Sequence, residues 1–311
     1  MISVAMTTYN GEKYIIEQLN SIINQSLQPD EVIICDDGST DKTIPLIENF
    51  IQSNNLEKKW KLVKNNYSLG FIKNFIKAIN LTRGDIIFLS DQDDVFIQNK
   101  FQIMIKYFEQ YPECVVLNAN YSMIDKESKK IENYRIKSPK RSKKIEKLSF
   151  QSYLYNSNYP GFSIAFKKNI KKELESLNLD NVYGHDILIN LIGLQQKGCY
   201  AIPDILSKYR IHTSNTSGVG EVTNDLLIIS RIQQKEKELK EYVQLRSFIS
   251  SNGLSLDKNI IYKREKILRK RILYLQNKNI IFLLGILLFS RTYPKSTILG
   301  DIFYIMKRGR E

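Results

Sequence analysis

Residues 1–100 alternate between short apolar runs and amphipathic segments. The short runs predict buried strands, and the segments with apolar residues three or four positions apart predict helices. Strands that alternate with helices form mainly parallel sheets covered by helices. The sequence therefore predicts an α/β fold with a Rossmann-like, mostly parallel sheet. The predicted strands are Ser3–Thr8, Glu31–Cys35, Trp60–Lys64 and Asp85–Ser90, and the predicted helices are Glu12–Gln25, Thr43–Ser53 and Gly70–Leu81.

Polar clusters follow three of these predicted strands. They are Thr7-Thr8-Tyr9-Asn10, Asp36-Asp37-Gly38-Ser39 and Asp91-Gln92-Asp93-Asp94. Sheets of this kind bind ligands at the carboxyl ends of their strands. The three clusters together therefore predict a ligand site along one edge of the sheet.

The third cluster carries the most chemistry. Side chains alternate along an extended chain, so Asp91 and Asp93 are expected to point the same way. Crowded carboxylates repel each other unless they share a cation or a proton. Mg²⁺ or Mn²⁺, bound by one or two carboxylates and by substrate phosphates, fits this pattern. A polar turn that caps a helix is the alternative for an isolated Asp-x-Asp.

The first two clusters suit a nucleotide. Tyr9 could stack on a base, Asp36 can accept a hydrogen bond from a pyrimidine N–H, and Gly38 lets backbone N–H groups approach the ligand. The alternative for this glycine turn is a simple loop and helix cap. The chain has no G-x-G-x-x-G and no P-loop, which argues against dinucleotide binding and ATP hydrolysis.

Composition adds a partner class. The formal net charge is +13, which favours an anionic partner such as a phosphorylated substrate, an acidic membrane surface or nucleic acid. Nucleic acid is disfavoured because base-stacking aromatics and docking motifs do not accompany the basic residues. Cys35, Cys114 and Cys199 lack metal-ligand spacing, so we expect reduced, buried thiols of a cytosolic protein. No apolar run reaches the roughly 18 residues of a membrane span.

A family resemblance runs through these motifs. The segments Ser3–Gly11 and Cys35–Thr43 closely resemble the start of family 2 glycosyltransferases with the GT-A fold. The segment Asn65–Gly70, followed by Asn74, resembles the next element of that family. Asp91-Gln92-Asp93-Asp94 matches its Asp-x-Asp motif. The order and spacing of these motifs over residues 1–100 make the resemblance specific.

The resemblance assigns roles on the donor side. It implies that Tyr9 and Asp36 contact the nucleobase, Asp91 the ribose or diphosphate, and Asp93 the metal, which would be Mg²⁺ or Mn²⁺. The remaining residues expected to contact the nucleotide-sugar donor are Thr7, Thr8, Asp37, Ser39, Asn66, Gly70, Asn74, Gln92 and Arg210.

Two later segments supply the acceptor side. Pro160-Gly161-Phe162-Ser163 resembles the acceptor loop of the family, and its catalytic base falls at Asp186 in Tyr183-Gly184-His185-Asp186. We expect Asp94, Gly161, Phe162 and His185 to face the acceptor. An inverting transfer needs a carboxylate to take the proton of the attacking hydroxyl. The alternative for Asp186 is a helix N-terminal carboxylate stabilised by the dipole.

A third segment, Tyr209-Arg210-Ile211-His212, follows a short strand pattern at Tyr200-Ala201-Ile202. His212 could complete the metal sphere or bind a phosphate, and Arg210 could neutralise the diphosphate. A solvated or structural histidine is the alternative.

One branch of the family is most similar: bacterial rhamnosyltransferases and related O-antigen or capsule enzymes. They commonly carry tryptophan soon after each acidic motif, where this chain has Phe96 and Ile187-Leu188. The resemblance implies a dTDP-rhamnose donor first and a UDP-hexose or UDP-N-acetylhexosamine second. A growing surface glycan, linked to undecaprenyl diphosphate, is the implied acceptor. A nucleotide-sugar-binding module without chemistry is the alternative class.

The charge pattern divides the chain at about residue 221. Residues 1–221 are expected to form the catalytic domain, with an exposed lysine-rich excursion over 125–147, and residues 222–311 a basic helical region. Long helices are predicted at 224–251 and 258–276. The apolar stretch 280–289, flanked by basic residues, fits two arrangements. It could lie on the cytoplasmic face of an anionic membrane as a peripheral anchor, or pack as a C-terminal helix.

Overall fold

The computed structural model describes residues 1–131, 144–156, 159–180, 182, 184–212 and 228–277. The chain divides into two compact units. The first comprises Met1–Leu177 with Tyr183–Gly220, and the second Asn178–Val182 with Glu221–Glu311. The site described below lies within the first unit.

The first unit contains nine strands and seven helices within the described ranges. The strands are β1 (Ile2–Thr8), β2 (Glu31–Asp36), β3 (Trp60–Lys64), β4 (Ile86–Ser90), β5 (Val95–Phe96), β6 (Val116–Ile124), β7 (Glu146–Lys147), β8 (Ile164–Lys167) and β9 (Cys199–Arg210). The helices are α1 (Ile15–Ile23), α2 (Thr43–Ser53), α3 (Phe71–Leu81), α4 (Lys100–Gln110), α5 (Phe150–Asn156), α6 (Asn169–Ser176) and α7 (His185–Gln195).

The strands form one sheet in the order β3-β2-β1-β4-β8-β6-β9-β5, with β7 paired to β9. The half built from β3, β2, β1 and β4 is parallel. All residues of β1 and β2 are buried, as expected of strands covered on both faces by helices. The expected α/β fold with a parallel sheet is thus present in this half.

The other half of the sheet is mixed. Strand β8 runs antiparallel to both β4 and β6, while β6 and β9 are parallel to each other. The strand predicted around Tyr200–Ile202 is much longer than expected and runs from Cys199 to Arg210. Arg210 therefore ends a strand, because β9 pairs with β6 as far as Ile124.

Register brings the polar clusters together. Thr8 pairs with Asp36 across β1 and β2, and Met6 pairs with Ser90 across β1 and β4. The residues that follow these strands therefore emerge side by side. The three clusters predicted from the sequence do lie at one edge of the sheet.

The described part of the second unit contains two long helices, α8 (Ile228–Ser251) and α9 (Lys258–Asn277). Ion pairs join them: Arg246 Nε lies 2.7 Å from Glu265 Oε1, and Arg264 Nη2 lies 2.9 Å from Glu238 Oε1. No helix within the described residues is long and apolar enough to cross a membrane. The stretch 280–289 and the centre of the lysine-rich excursion, 132–143, lie outside the described residues.

All three cysteines are free and buried, as expected from their spacing. Burial raises the pKa of the Cys35 thiol to about 11, so the thiol form predominates at neutral pH. These residues belong to the packing of the sheet.

Candidate active site

The nucleotide side of the site begins with Asp36, a fully buried carboxylate at the end of β2. Its oxygens accept hydrogen bonds from Thr8 Oγ1 at 2.7 Å, from the Ser39 hydroxyl at 2.6 Å and from the Ser39 N–H at 2.7 Å. Thr7, the next-to-last residue of β1, is also buried. Asp36, Thr8 and Ser39 are therefore brought together as predicted, and their mutual bonds fix the turn after β2.

Asp37 anchors a neighbouring loop. Its carboxylate accepts the backbone N–H groups of Leu69 (2.7 Å) and Gly70 (2.9 Å), and side-chain donors from Asn65 and Ser68 at 2.8 Å each. Burial alone would raise the pKa of Asp37, but these four hydrogen bonds outweigh it and lower the pKa. With its oxygens occupied in this way, Asp37 serves to hold the loop that precedes α3.

Asn66, the asparagine predicted to contact the donor from this loop, does not bond to Asp37; its neighbour Asn65 does. Asn66 is exposed, whereas Asn65 donates to Asp37 and to Asn74 Oδ1, at 2.9 Å. Asn74 is buried and donates to the Cys35 carbonyl at 2.9 Å, tying α3 to β2. Sequence reasoning missed Asn65, although its adjacency to Asn66 was a usable signal.

Gln92 joins the first and third clusters. Its amide accepts the Tyr9 N–H at 2.8 Å and donates to the Tyr9 carbonyl at 3.0 Å, so it pairs with the backbone as a strand would. A Cβ added to Gly11 would lie 2.2 Å from Gln92 Oε1, so only glycine leaves room for this amide. The Tyr9 ring stays 54% exposed and available for stacking on a ligand.

The acidic loop places Asp93 beside His212. His212 Nε2 lies 2.7 Å from Asp93 Oδ2, and both side chains are largely buried. The Tyr14 ring packs 5.1 Å from the imidazole and holds it in place. The two side chains predicted to bind a metal, separated by 119 positions in the chain, thus meet at this point.

The surrounding carboxylates are electrostatically strained. Burial, followed by the charges of Asp93 and Asp186, raises the pKa of Asp91 to about 8. Burial, followed by the charges of Asp93 and Asp91, raises the pKa of Asp94 well above its usual value. Carboxylates perturbed by one another within a cleft are typical of functional sites.

The donor set of this loop suits a divalent cation. Within the described residues, no group of three or more His, Cys, Asp or Glu side chains is arranged to hold a metal. Two ligands on one octahedral ion with bonds of about 2.1 Å stand about 3 Å apart, close to the observed Asp93–His212 separation. In the structure these two side chains bond to each other, and a carboxylate and an imidazole are both groups that can bind a divalent cation.

Asp94 is a buried support of the loop. One of its oxygens accepts the backbone N–H of Arg210 at 3.0 Å, which fastens the acidic loop to β9. It is 1% exposed, so it does not face an acceptor in this structure.

Arg210 is also buried, and its guanidinium is occupied by protein groups. It donates to the Asp93 carbonyl at 2.8 Å, to Ser128 Oγ at 2.8 Å and to Glu17 Oε2 at 2.6 Å. It also stacks 4.5 Å from the centre of the Tyr14 ring. The structure thus places this cation as a clamp on the acidic loop, with Glu17 as a partner that the sequence did not reveal.

Asp186 lies in the first turn of α7. Burial raises its pKa to about 6, against the effect of the Ile187 N–H, which donates to Oδ1 at 2.9 Å. Its charge in turn contributes to the raised pKa of Asp91. A carboxylate with a pKa near neutrality can accept a proton under working conditions.

His185 lies beneath the turn Gly161–Ser163. Its ring stacks on Phe75 with centroids 3.7 Å apart, and burial lowers its pKa to about 3, so the imidazole is neutral. A Cβ on Gly161 would lie 2.5 Å from Nε2. Neither ring nitrogen has a hydrogen-bond partner among the residues described. The missing side chain of Gly161 therefore accommodates this ring.

Phe162 was predicted to face an acceptor, but its ring is 1% exposed. It stacks on Tyr209 at 5.3 Å and meets Tyr121 edge-on at 5.3 Å, inside the core. The prediction for this side chain is corrected, because an aromatic ring there completes the cluster under β6 and β9. Its backbone remains at the site, since the Phe162 N–H acts on the Asp91 carboxylate and lowers its pKa against the effect of burial.

Lys100 is a site residue that the sequence analysis missed. It is fully buried at the start of α4 and donates to the Phe162 carbonyl and, at 2.8 Å, to Ser207 Oγ. The signal was present: Lys100 lies four residues before Met104, on the face of α4 that is otherwise apolar. Burial lowers its pKa to about 7, while Asp94 and Asp91 oppose this shift.

The helix-flanked sheet, with polar clusters at the ends of β1, β2 and β4, has the architecture of the GT-A fold. The sequence profile described as Glycosyl transferase family 2 matches residues 3–173, which is more than half of the chain. The chain belongs to glycosyltransferase family 2.

Curated relatives agree with this assignment. An uncharacterized glycosyltransferase of Haemophilus influenzae is 29% identical over 228 residues, covering 70% of this chain and 68% of its own length. The dTDP-rhamnosyl transferase RfbG of Shigella flexneri is 32% identical over 186 residues, covering 57% of this chain and 58% of its own.

Solved structures share the GT-A fold. TarS 1-349 of S. aureus in complex with UDP superposes with a TM-score of 0.58 at 16% identity, covering 88% of this chain and 70% of its own. The mannosyltransferase PcManGT of Pyrobaculum calidifontis, in complex with GDP-Man and Mn²⁺, superposes with a TM-score of 0.58 at 15% identity, covering 100% of this chain and 80% of its own.

Proposed function

We propose that this family 2 glycosyltransferase moves a sugar, with inversion, from a nucleotide sugar to a hydroxyl of a growing bacterial surface glycan. The observation that carries this proposal is the position of Asp186. Burial raises the pKa of this carboxylate to about 6, and its charge helps to raise the pKa of Asp91 in the acidic loop.

The chemistry follows from that arrangement. The acceptor oxygen attacks C1 of the donor sugar while the bond from C1 to the diphosphate oxygen breaks. Asp186 takes the proton of the attacking hydroxyl as general base, a contribution of about 10²–10⁴ in rate. Its raised pKa suits this role, because the carboxylate can gain a proton near neutral pH without being protonated beforehand.

The donor is bound along the sheet edge. Tyr9 offers an exposed ring for the base, beside the turn that Asp36 holds together with Thr8 and Ser39. Asp91 is placed to contact the ribose or the diphosphate. The loop held by Asp37, with Gly70 at its end and Asn74 supporting it from α3, completes the nucleotide side.

We propose that Asp93 and His212 hold Mn²⁺ or Mg²⁺ together with diphosphate oxygens. A ligand pair of one carboxylate and one imidazole favours Mn²⁺ of the two ions. When bound, the ion offsets charge that develops on the leaving diphosphate. Arg210 acts on this pair indirectly, by holding the Asp93 carbonyl.

The first-choice donor is dTDP-rhamnose. Support comes from the relative RfbG, which is named as a dTDP-rhamnosyl transferase. A UDP-hexose or UDP-N-acetylhexosamine is the second choice, and a structure of TarS with UDP-GlcNAc has the same fold. We further propose a lipid-linked acceptor and peripheral contact of residues 222–311 with the cytoplasmic face of an anionic membrane.

The test is a panel of nucleotide sugars with octyl monosaccharides as acceptors. Release of nucleoside diphosphate is followed with Mn²⁺, with Mg²⁺ and with EDTA, and each donor is also scored by thermal shift. We expect one donor to give metal-dependent transfer. No binding and no turnover of any donor in the panel would contradict the proposal.

The variant Asp186→Asn separates a transferase from a binding module. The asparagine keeps the size of the side chain but cannot take a proton. We expect donor affinity to stay within about threefold, and transfer to fall by about a hundredfold or more, the usual loss for a general base. Unchanged turnover would remove Asp186 as the base.

A further inference from the structure

Lys100 is a buried cation that the proposed chemistry does not use. Its side chain is fully buried, and a lysine in that position is rare unless its ammonium group is paired. The amine donates to the Phe162 carbonyl and to Ser207 Oγ, and it lies 3.8 Å from the centre of the Phe96 ring. Every one of these contacts is to an element that borders the site.

The backbone of Phe162 is held from both sides. Its N–H acts on the carboxylate of Asp91 and lowers the pKa of that group, and its C=O accepts from Lys100. Phe162 is the central residue of the turn Gly161–Ser163, and its ring is locked in the core by Tyr209 and Tyr121. The turn is thus tied at one residue to the acidic loop and to α4.

We propose that Lys100 is a positioning residue that fixes the turn Gly161–Ser163 relative to Asp91. The Lys100 amine provides the hydrogen bond that orients the Phe162 carbonyl, and its second bond, to Ser207 Oγ, ties the amine to β9. Through the bond to Phe162, Lys100 fixes the position of Gly161 over the His185 ring. The position of Gly161 in turn determines how much space is open to an acceptor. This role rests on the transfer reaction proposed above.

The variant Lys100→Met tests the role, because methionine fills a similar volume without a donor or a charge. Ser207→Ala is the matched control: it removes one partner of Lys100 and leaves the bond to Phe162. Hydrogen–deuterium exchange on the free protein reports the turn directly. We expect peptides covering residues 160–164 to exchange at least about tenfold faster in Lys100→Met, and to be unchanged in Ser207→Ala.

The second readout separates positioning from general support. With the donor selected by the panel, we expect donor affinity within about threefold of the wild type in Lys100→Met. The ratio of transfer to octyl monosaccharides over hydrolysis by water should fall by about tenfold, since water does not need the turn. Lys100→Arg, which keeps the charge and a donor, should recover part of that ratio.

The results that overturn the inference are definite. If residues 160–164 exchange at the wild-type rate in Lys100→Met, Lys100 does not hold the turn, whatever the enzyme transfers. An equal loss of donor binding, hydrolysis and transfer shows a general structural lysine. If Lys100→Met does not fold, Lys100→Leu, which is shorter and also lacks a donor, carries the same two measurements. Absence of transfer in the wild type would contradict the proposed function, and the exchange result would still decide the role of Lys100 in the turn.

Discussion

Arg210 is the residue whose structural role and predicted donor-binding role can be separated most sharply. An arginine that binds the diphosphate would present its guanidinium to the donor. The Arg210 side chain is instead 1% exposed, and its guanidinium is bonded to the Asp93 carbonyl, Ser128 and Glu17. We predict that Arg210→Met destabilises the catalytic unit. The bond from the backbone N–H of residue 210 to Asp94 persists in this variant, so only the guanidinium is tested.

The expected cost follows from the groups left behind. The carbonyl of Asp93 loses a charged donor, and each such hydrogen bond contributes about 1.5–3 kcal/mol. Glu17, whose side chain is 42% exposed, returns to water. Its pair with Arg210 therefore contributes about 1 kcal/mol or less. Because these bonds share one side chain they are not additive, and we expect a total of about 2–4 kcal/mol. In a unit of this size that corresponds to a fall of about 10 °C in Tm.

Thermal melting in the presence and absence of donor measures both quantities at once. Glu17→Gln is the matched control, since it removes the charge from the exposed partner only and should cost about 1 kcal/mol or less. The reasoning is refuted if Arg210→Met melts within about 2 °C of the wild type while donor affinity falls by about tenfold or more. That pattern is the one expected of a residue that binds the diphosphate directly.

Four further predictions concern the neighbouring residues. Burial raises the pKa of Asp186 to about 6, so transfer at saturating donor should fall as the pH drops below 6; a flat rate down to about pH 5 contradicts a general base with this pKa. Gly161→Ala should raise the acceptor KM by about tenfold and spare donor binding, because its Cβ would displace the turn or His185, and steady-state kinetics measure this. His185→Phe should keep the stack on Phe75 and melt at or above the wild-type temperature, since it removes ring nitrogens that lack partners among the described residues; a loss above about 2 kcal/mol argues against this. Asp37→Asn should cost about 2 kcal/mol at neutral pH. Because the folded-state pKa of Asp37 is lowered, urea titrations should show that difference shrinking as the pH falls through the usual carboxyl range.

The first half of the sheet could be predicted because its signals are local. Trp60–Lys64 and Thr43–Ser53 have the bounds that periodicity gives, and the predicted 258–276 helix ends one residue later, at Asn277. The second half depends on distant pairing. Strand β6 carries Asn118 and Asn120 inside its run, and its partners β8 and β9 lie far along the chain. Polar residues in a strand are buried there because they bond across the sheet, as Asn118 does to the Tyr200 carbonyl.

The site shows the same division. The motifs locate Asp91, Asp93 and Asp186, because these side chains follow strand ends or begin a helix. The motifs do not show which polar side-chain atoms are already hydrogen-bonded within the protein. Arg210 and Asp94 fall in matching motifs, yet their polar groups are used within the protein. Roles for such residues depend on partners more than a hundred positions away, which spacing alone does not reveal.

The amide of Gln92 has a consequence for changing donor choice. It makes two hydrogen bonds between the loop that carries Tyr9 and the loop that carries Asp93, and it packs against Gly11. A glutamate there would set a carboxylate against the Tyr9 carbonyl, and a shorter side chain would fail to reach. The loop that carries Tyr9 and the loop that carries Asp93 are therefore coupled through residue 92, and a mutant library that varies this position will move both loops together.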